Sequence, residues 1–255
     1  KYDNASGGLI QRIDDVATGL ITDSPAVPSG WSTPSGGGLH LITDYTVDSL
    51  GRTTVELSPQ HSVPIGGTST AIRRSSWTVY NQTATATEVR RAQGYVTVPS
   101  GSSSSSTSLI EPITVTKQDG NGRTTDVVVS QRASGVTGAL TASENLADQT
   151  KWVRWQQWTY LNMSAKANTQ QVYFAIPSSG NGSPGSYDNT TGNYNQTLYG
   201  YDTGGTNGGL GWLTRQKSPG GTITRWVYNA RGLLAEKWVG TDDTGATDSS
   251  PGGSS

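Results

Sequence analysis

Cysteine is absent from the 255 residues. No disulfide or thiolate metal site can therefore hold the chain together, and its compartment is only weakly constrained. Phenylalanine and methionine occur once each, against eleven Tyr and eight Trp. Tyr and Trp carry a polar handle and tolerate half-wet positions, so the composition implies sheets with much exposed face over a thin core. Charge is scarce, with Asp, Glu, Lys and Arg at 15% against about 25% in ordinary domains. A net charge of −1 gives no long-range pull on nucleic acid or an anionic membrane. The pairs Arg73-Arg74 and Arg90-Arg91 read as a solvated strand face. No apolar run is long enough for a spanning helix or a signal peptide, which argues against membrane insertion. The chain opens on Lys1-Tyr2-Asp3 and its one methionine is Met163, which suggests a processed product or a piece of something longer. A net charge this small, with eight Trp, is unlike disorder. The chain should fold.

Alternation with period two dominates what is present. "TTVEL" (53–57), "SWTVY" (76–80), "YVTV" (95–98), "ITVT" (113–116), "DVVVS" (126–130), "QVYFAI" (171–176), "TITRWVY" (222–228) and "LLAEKWV" (233–239) all show it. β-Branched and aromatic residues fill them, and Gly, Pro, Asn, Asp and Ser cluster between. The expectation is an all-β chain of antiparallel hairpins, with residues 143–158 as the best, weak, helix candidate. Residues 25–38 around Trp31, the serine run in 101–106 and the polar stretch 178–192 read as loops. The Gly/Asp/Ser-rich tail 241–255 lacks a strand.

One turn recurs. Asp48-Ser49-Leu50-Gly51-Arg52, Asp119-Gly120-Asn121-Gly122-Arg123 and Asn229-Ala230-Arg231-Gly232-Leu233 share Asp or Asn, two residues, Gly, then Arg or Leu before a strand. Tyr228 stands immediately before the third and Tyr45 three residues before the first. Looser copies are Tyr2-Asp3 with Gly8-Leu9, Asp15 with Gly19-Leu20, Tyr187-Asp188 with Gly192, and Tyr201-Asp202 before Leu210. The spacing has a mechanical reason. Asp or Asn at the first turn position accepts hydrogen bonds from the backbone ahead and favours a type I turn. Gly three residues later supplies the positive φ that closes the turn as a bulge. Each hairpin has too little apolar surface to fold alone, so neighbours must stack in an array over 1–240.

On "YDNASGGL", "YTVDSLGRTTVEL", "KQDGNGRTTDVVV", "YGYD" and "RWVYNARGLLAEKW" the chain resembles the Rhs/YD-repeat family, bacterial proteins named for a Tyr-Asp dipeptide. The copies cover the first 60 residues, 114–132 and 199–240. Their spacing is irregular, and 133–180 holds degenerate repeats or an inserted module. The resemblance implies a long sheet of hairpins curling into a spiral or shell, in large secreted or surface-displayed proteins. In toxin members the shell encloses a cargo.

Catalytic chemistry finds little to stand on. His40 and His61 are the only histidines, both beside expected loops, and read as surface or turn residues. There is no nucleophile elbow, no zinc ligand set, no phosphate loop and no dinucleotide fingerprint in the sequence. Asp14 and Asp15 are adjacent, so a strand points them to opposite faces. "DGNGRTTD" (119–126) hints at a calcium loop, but Arg123 stands where an oxygen ligand belongs. No cofactor, metal or catalytic residue is expected. In "KWVRWQQWTY" (151–160), a regular strand puts Trp152 and Trp158 on one face and Trp155 on the other with Val153. An exposed Trp there could stack on a sugar ring; capping a thin core is the plainer reading. Six Asn-x-Ser/Thr sequons, at Asn4, Asn81, Asn162, Asn181, Asn189 and Asn195, permit glycosylation.

The leading expectation is a non-enzymatic structural segment of an extracellular or cell-surface fibre, sheath or shell, with further repeats or copies of itself as partners through strand edges. A carbohydrate-binding or adhesion module using Trp152, Trp155 and Trp158, with glycans as partners, is one alternative. A wall fragment of a toxin-enclosing cocoon is another.

Overall fold

A computed structural model describes residues 1–17, 20, 37–99, 104–162, 164–186, 188–202 and 211–247. Thirteen strands follow in order: β1 Gln11–Asp14, β2 Leu41–Val47, β3 Thr53–Ile65, β4 Thr68–Gln82, β5 Ala86–Thr97, β6 Thr107–Asp119, β7 Thr124–Ser130, β8 Trp152–Tyr160, β9 Ala167–Tyr173, β10 Tyr194–Tyr201, β11 Leu213–Lys217, β12 Ile223–Tyr228 and β13 Leu234–Gly240. They hydrogen-bond in sequence order in one sheet. The protein is all-β and antiparallel, a meander in which each strand turns back beside its predecessor. Trp31 and most of the 25–38 stretch, Gly19, Ser102 and Ser103 of the serine run, Tyr187, Leu210 and the tail from Asp248 lie outside the described residues.

Strands run well past the short alternating segments seen in the sequence. β3 continues from Thr53 to Ile65 through Pro59. A register shift between Leu57 and Gln60 accommodates the proline, because a bulge is one place a strand tolerates a missing N–H. β9 ends at Tyr173, so Phe174, Ala175 and Ile176 are not strand. Residues 143–158 are not helical. They form a loop, a single 3₁₀ turn over Gln149–Lys151 and then β8. The 133–180 region contributes β8 and β9, which take their places in the meander.

The chain packs as two compact units. The first comprises Lys1–Gln82, Val89–Thr114 and Arg132–Asn145. Ile72, Trp77, Val89, Ala92, Ile113 and Leu140 are its buried apolar residues. Arginine cross-links it more than apolar mass does. Arg73 reaches Asp44 Oδ2 at 2.7 Å, Ile42 O at 3.0 Å, Ser58 O at 2.7 Å and Leu57 O at 2.8 Å. It thereby ties β2 to β4 and caps the β3 bulge. Arg90 donates to the carbonyls of Thr141, Ala142 and Glu144. Arg132 holds both Glu144 carboxylate oxygens at 2.7 Å, with the two side chains 6% and 3% exposed. The expected solvated strand face therefore holds only for Arg74 and Arg91, which are exposed. Adjacent strand residues point to opposite faces, so each pair sends one guanidinium inward.

The second unit comprises Thr83–Glu88, Val115–Gln131 and Leu146–Ser255. Its core is a cross-strand row. Val128 faces Trp155 between β7 and β8, and Tyr194 faces Tyr173 between β10 and β9. The Trp155 and Tyr173 rings stack with centroids 3.8 Å apart and planes 10° apart. All four are 7% exposed or less. Beyond β13, Asp243 folds back and accepts from Arg215 Nε at 2.5 Å and Arg225 Nη1 at 3.0 Å.

Candidate functional site

The recurring turn is built from the same atoms each time. In the first unit Gly51 N donates to Asp48 O at 2.9 Å and Asp48 N to Arg52 O at 3.0 Å. Asp48 Oδ1 accepts from the N–H groups of Leu50 and Arg52 at 2.9 and 3.0 Å, and Oδ2 from Arg52 Nε at 2.7 Å. In the second unit Asp119 repeats the pattern with Asn121 and Arg123, at 2.9, 3.1 and 2.7 Å. Asn229 keeps the two backbone bonds, from Arg231 N at 2.9 Å and Leu233 N at 3.1 Å, and drops the charged one because Leu233 replaces arginine. Gly51, Gly122 and Gly232 have φ of 75°, 75° and 76°, the left-handed geometry the spacing predicts. The register slips between Thr46 and Val47 and between Val227 and Tyr228, so the first and third turns carry a bulge.

Electrostatics follow from this geometry. Hydrogen bonding from the Arg123 side chain holds the Asp119 carboxyl below its ordinary value, with the backbone bonds adding to it against some desolvation. At Asp48 desolvation is the largest influence and opposes ionisation. The combined hydrogen bonds of Arg52 and Leu50 outweigh it, and that carboxyl too is lowered. Both Asp119 oxygens serve the turn, Oδ1 on the backbone and Oδ2 on Arg123. Among the described residues no cluster of His, Cys, Asp or Glu could hold a metal ion.

Because strands reverse direction in a meander, every second connection falls at the same end of the sheet, and there the turns touch. In the first unit a methyl group on Gly8 would lie 2.9 Å from the Gly51 carbonyl oxygen. The Asp3 turn, closed by Gly7 N to Asp3 O at 2.9 Å, thus rests on the Asp48 turn. Its positive-φ residue is Gly7, at 71°, one position before the expected Gly8. Arg52 then lies 4.1 Å from the centre of the Tyr80 ring near the end of β4. In the second unit Arg123 lies over Tyr160 at the end of β8 and donates to Asn162 O and Ser164 O at 2.6 Å each. Lys166 continues the pattern over Tyr201, the last residue of β10. Tyr160 and Tyr228 in turn donate to the carbonyls of Thr124 and Leu213. A tyrosine closing one strand thus fastens the neighbouring hairpin.

Two turns were not visible in the sequence. Ser218 N bonds Thr222 O at 2.8 Å and Gly221 N bonds Ser218 O at 3.0 Å, with Gly221 φ at 82°. The same backbone turn forms there without an acidic residue, and Pro219-Gly220-Gly221 is its only local sign. Thr83 closes the β4–β5 connection through its hydroxyl on Ala86 N, with no glycine. This turn lies between the Gly51 and Gly122 copies and accounts for part of their irregular spacing.

The tryptophans are arranged differently from regular alternation. Val129 faces Arg154 while Ser130 faces Trp152, leaving Val153 unopposed as a bulge residue, 56% exposed. The extra residue rotates Trp152 onto the face of Trp155, and their rings meet edge-on at 4.9 Å. Trp155 is 2% exposed, and its indole N–H donates to Asp126 Oδ1 at 2.9 Å. Trp152 is half-buried and donates to Leu146 O at 2.9 Å. Trp158 is half-buried as well.

His40 sits before β2 with φ 52°, and its Nδ1 accepts from Ala17 N at 3.3 Å, which suits a turn residue. His61 does not fit that reading. It lies within β3, facing Ile72 of β4. It lines a cavity that also holds Glu56 and Ser58, but no hydrogen bond among the described residues joins it to either. Asp14 pairs with Arg12 and Asp15 accepts from Leu39 N, so these two carboxylates serve local structure. Compared with known proteins, the chain matches no family model and no curated protein sequence.

Proposed function

We propose that this chain is a structural, non-enzymatic segment of an Rhs/YD-type repeat array, forming part of the wall of an extracellular or cell-surface assembly in bacteria. The observation that carries the reading is the reuse of one turn. Asp48 with Arg52 and Asp119 with Arg123 make the same five bonds, each distance agreeing within 0.1 Å. Each arginine rests on a tyrosine at or near the end of a later strand. Repetition of this kind builds length, since each hairpin buries its surface only against the next. The last strand supports a partner at its edge. All seven residues of β13 are exposed, with Leu234, Trp238 and Val239 at 54%, 47% and 64%. A strand edge with this much apolar surface is a template for another strand. Under this reading its partner is a further repeat or a second copy. Sedimentation velocity of residues 1–255 up to high micromolar concentration tests it. Concentration-dependent association is expected, weakened by Val239→Lys. A monomer throughout, with β13 amides protected from hydrogen exchange, would refute it.

A further inference from the structure

The first unit carries a cavity of about 650 Å³ on one face of β3, β4 and β5, reaching Ile110 of β6. Its lining follows from register. His61 faces Ile72 and Glu56 faces Ser76 across β3 and β4. Alternation along β4 then brings Arg74 to the same face as Ile72 and Ser76, and on β5 Gln93 and Tyr95 share a face. It is an open groove rather than an enclosed pocket, and its volume is that of a small-molecule site, about 300–1,000 Å³.

What sets this cavity apart is polar groups left uncommitted. Arg73, one residue from Arg74, makes four hydrogen bonds within the protein. The side chains of Glu56, Arg74, Gln93 and Tyr95 make none among the described residues, although all four line the cavity. His61 uses Nδ1 on Pro59 O at 3.3 Å, while its Nε2 is buried without a partner. A buried polar atom left unpaired costs free energy, which a ligand group bonding to it recovers. Arg91 and Arg154 show that an unpaired arginine alone is ordinary on this sheet. Five groups of mixed donor and acceptor type lining one groove, with Arg74 and Gln93 exposed and His61 Nε2 buried, are not.

We propose that this face binds a neutral saccharide unit. The charge balance disfavours a ligand of one charge sign. Glu56 repels an anion drawn to Arg74, and Arg74 repels a cation drawn to Glu56. A purely apolar ligand would strip water from these groups and return no hydrogen bond. A sugar ring supplies hydroxyls that both donate and accept, matching the carboxylate, guanidinium, amide, imidazole and phenol. Its C–H face has Val63, Ile72 and Tyr95 to lie against. The site is distinct from Trp152, Trp155 and Trp158, which belong to the second unit, and it stands whether or not the chain is a wall segment.

Saturation-transfer NMR and calorimetry on residues 1–255 test it, using glucose, galactose, N-acetylglucosamine and their disaccharides, with acetate and inorganic phosphate as charged comparisons. At least one sugar should bind with a roughly millimolar or lower Kd. Glu56→Gln and Gln93→Ala should each weaken it about tenfold or more, and Trp158→Ala should leave it unchanged. Both cavity substitutions lie on an open sheet face, and circular dichroism verifies that each variant is folded. Saturation from none of the sugars, binding of the anions in their place, or sugar binding that survives Glu56→Gln and Gln93→Ala would each overturn the assignment.

Discussion

Arg123 lies with its guanidinium carbon 4.8 Å from the centre of the Tyr160 ring. Its fork divides between Asp119 in its own turn and two carbonyls, of Asn162 and Ser164, in the next turn at that end of the sheet. One side chain therefore couples two hairpins that are not sequence neighbours. Arg52 has the aspartate and the aromatic ring but, among the described residues, no carbonyl acceptor in a following turn. Arg123→Ala should cost about 2 kcal/mol, the value of charged hydrogen bonds whose partners lose a donor. Arg52→Ala should cost roughly half of that, its side chain being more exposed. Urea denaturation of both variants gives the comparison.

The three turn glycines share a φ and differ in surroundings, which separates backbone strain from crowding. A methyl group on Gly122 would meet nothing within 4 Å, whereas on Gly232 it would lie 2.7 Å from the Trp212 ring. Gly122→Ala should cost about 1–2 kcal/mol, the left-handed penalty alone. Gly232→Ala should cost more, because Trp212 must also move. Equal losses in thermal denaturation would show that the ring shifts without resistance.

Acid should loosen the turns in a defined direction. Asp119 is held below its ordinary 3.8 by hydrogen bonds in the folded protein. Its contribution is therefore present above that unfolded value and disappears as pH falls through the lower folded one. Asp119→Asn should keep the turn, as Asn229 shows with its two backbone bonds. It should also flatten the acid limb of the stability curve. A variant that lost stability as steeply as the parent below pH 3.8 would place the acid sensitivity elsewhere, Asp44, Asp48 and Asp243 being among the other carboxyls held low.

Trp155 and Trp158, three residues apart, should respond to truncation with losses of very different size. Trp155→Ala removes the stack on Tyr173 and leaves Asp126 without the indole donor. A loss of about 3–5 kcal/mol is expected, as for other buried aromatic residues. Trp158 is half-buried, and Trp158→Ala should cost about 1 kcal/mol or less. Chemical denaturation with circular dichroism detection measures both.

The fold class and the three main turns were legible because their causes are local. Asp48, Gly51 and Arg52 contain within five residues every atom that closes their turn. Ser218–Thr222 escaped notice because its backbone hydrogen bonds need no particular side chain, and Thr83–Ala86 because it closes on a threonine hydroxyl with no Asp, Asn or Gly to mark it. The inward turn of Arg73 and Arg90 depends on carbonyls 15 to 54 residues away, which alternation along a strand does not reveal. The face of Trp152 was misread for a related reason. A bulge is a relation between two strands, and Val153 becomes the extra residue only when β7 is laid beside β8. His61 was read as a surface or turn residue beside a loop; the sheet runs on through it, absorbing Pro59 at a register shift and placing Pro64 opposite Ser69.

Asp243 closes a clasp over two guanidinium groups that face each other across β11 and β12, those of Arg215 and Arg225. A protease cutting between Gly240 and Asp243 would remove the shared counter-charge and leave two like charges on one rung of the ladder. Opposed like charges destabilise a strand pair, so a single nick should loosen β11 to β13 together, beginning from a segment that contains no strand. Mass spectrometry of successive fragments from an endoproteinase that cleaves before aspartate would show this as rapid loss of everything from Leu213 onward after a first cut at Asp242 or Asp243, with the Trp155–Tyr173 row persisting.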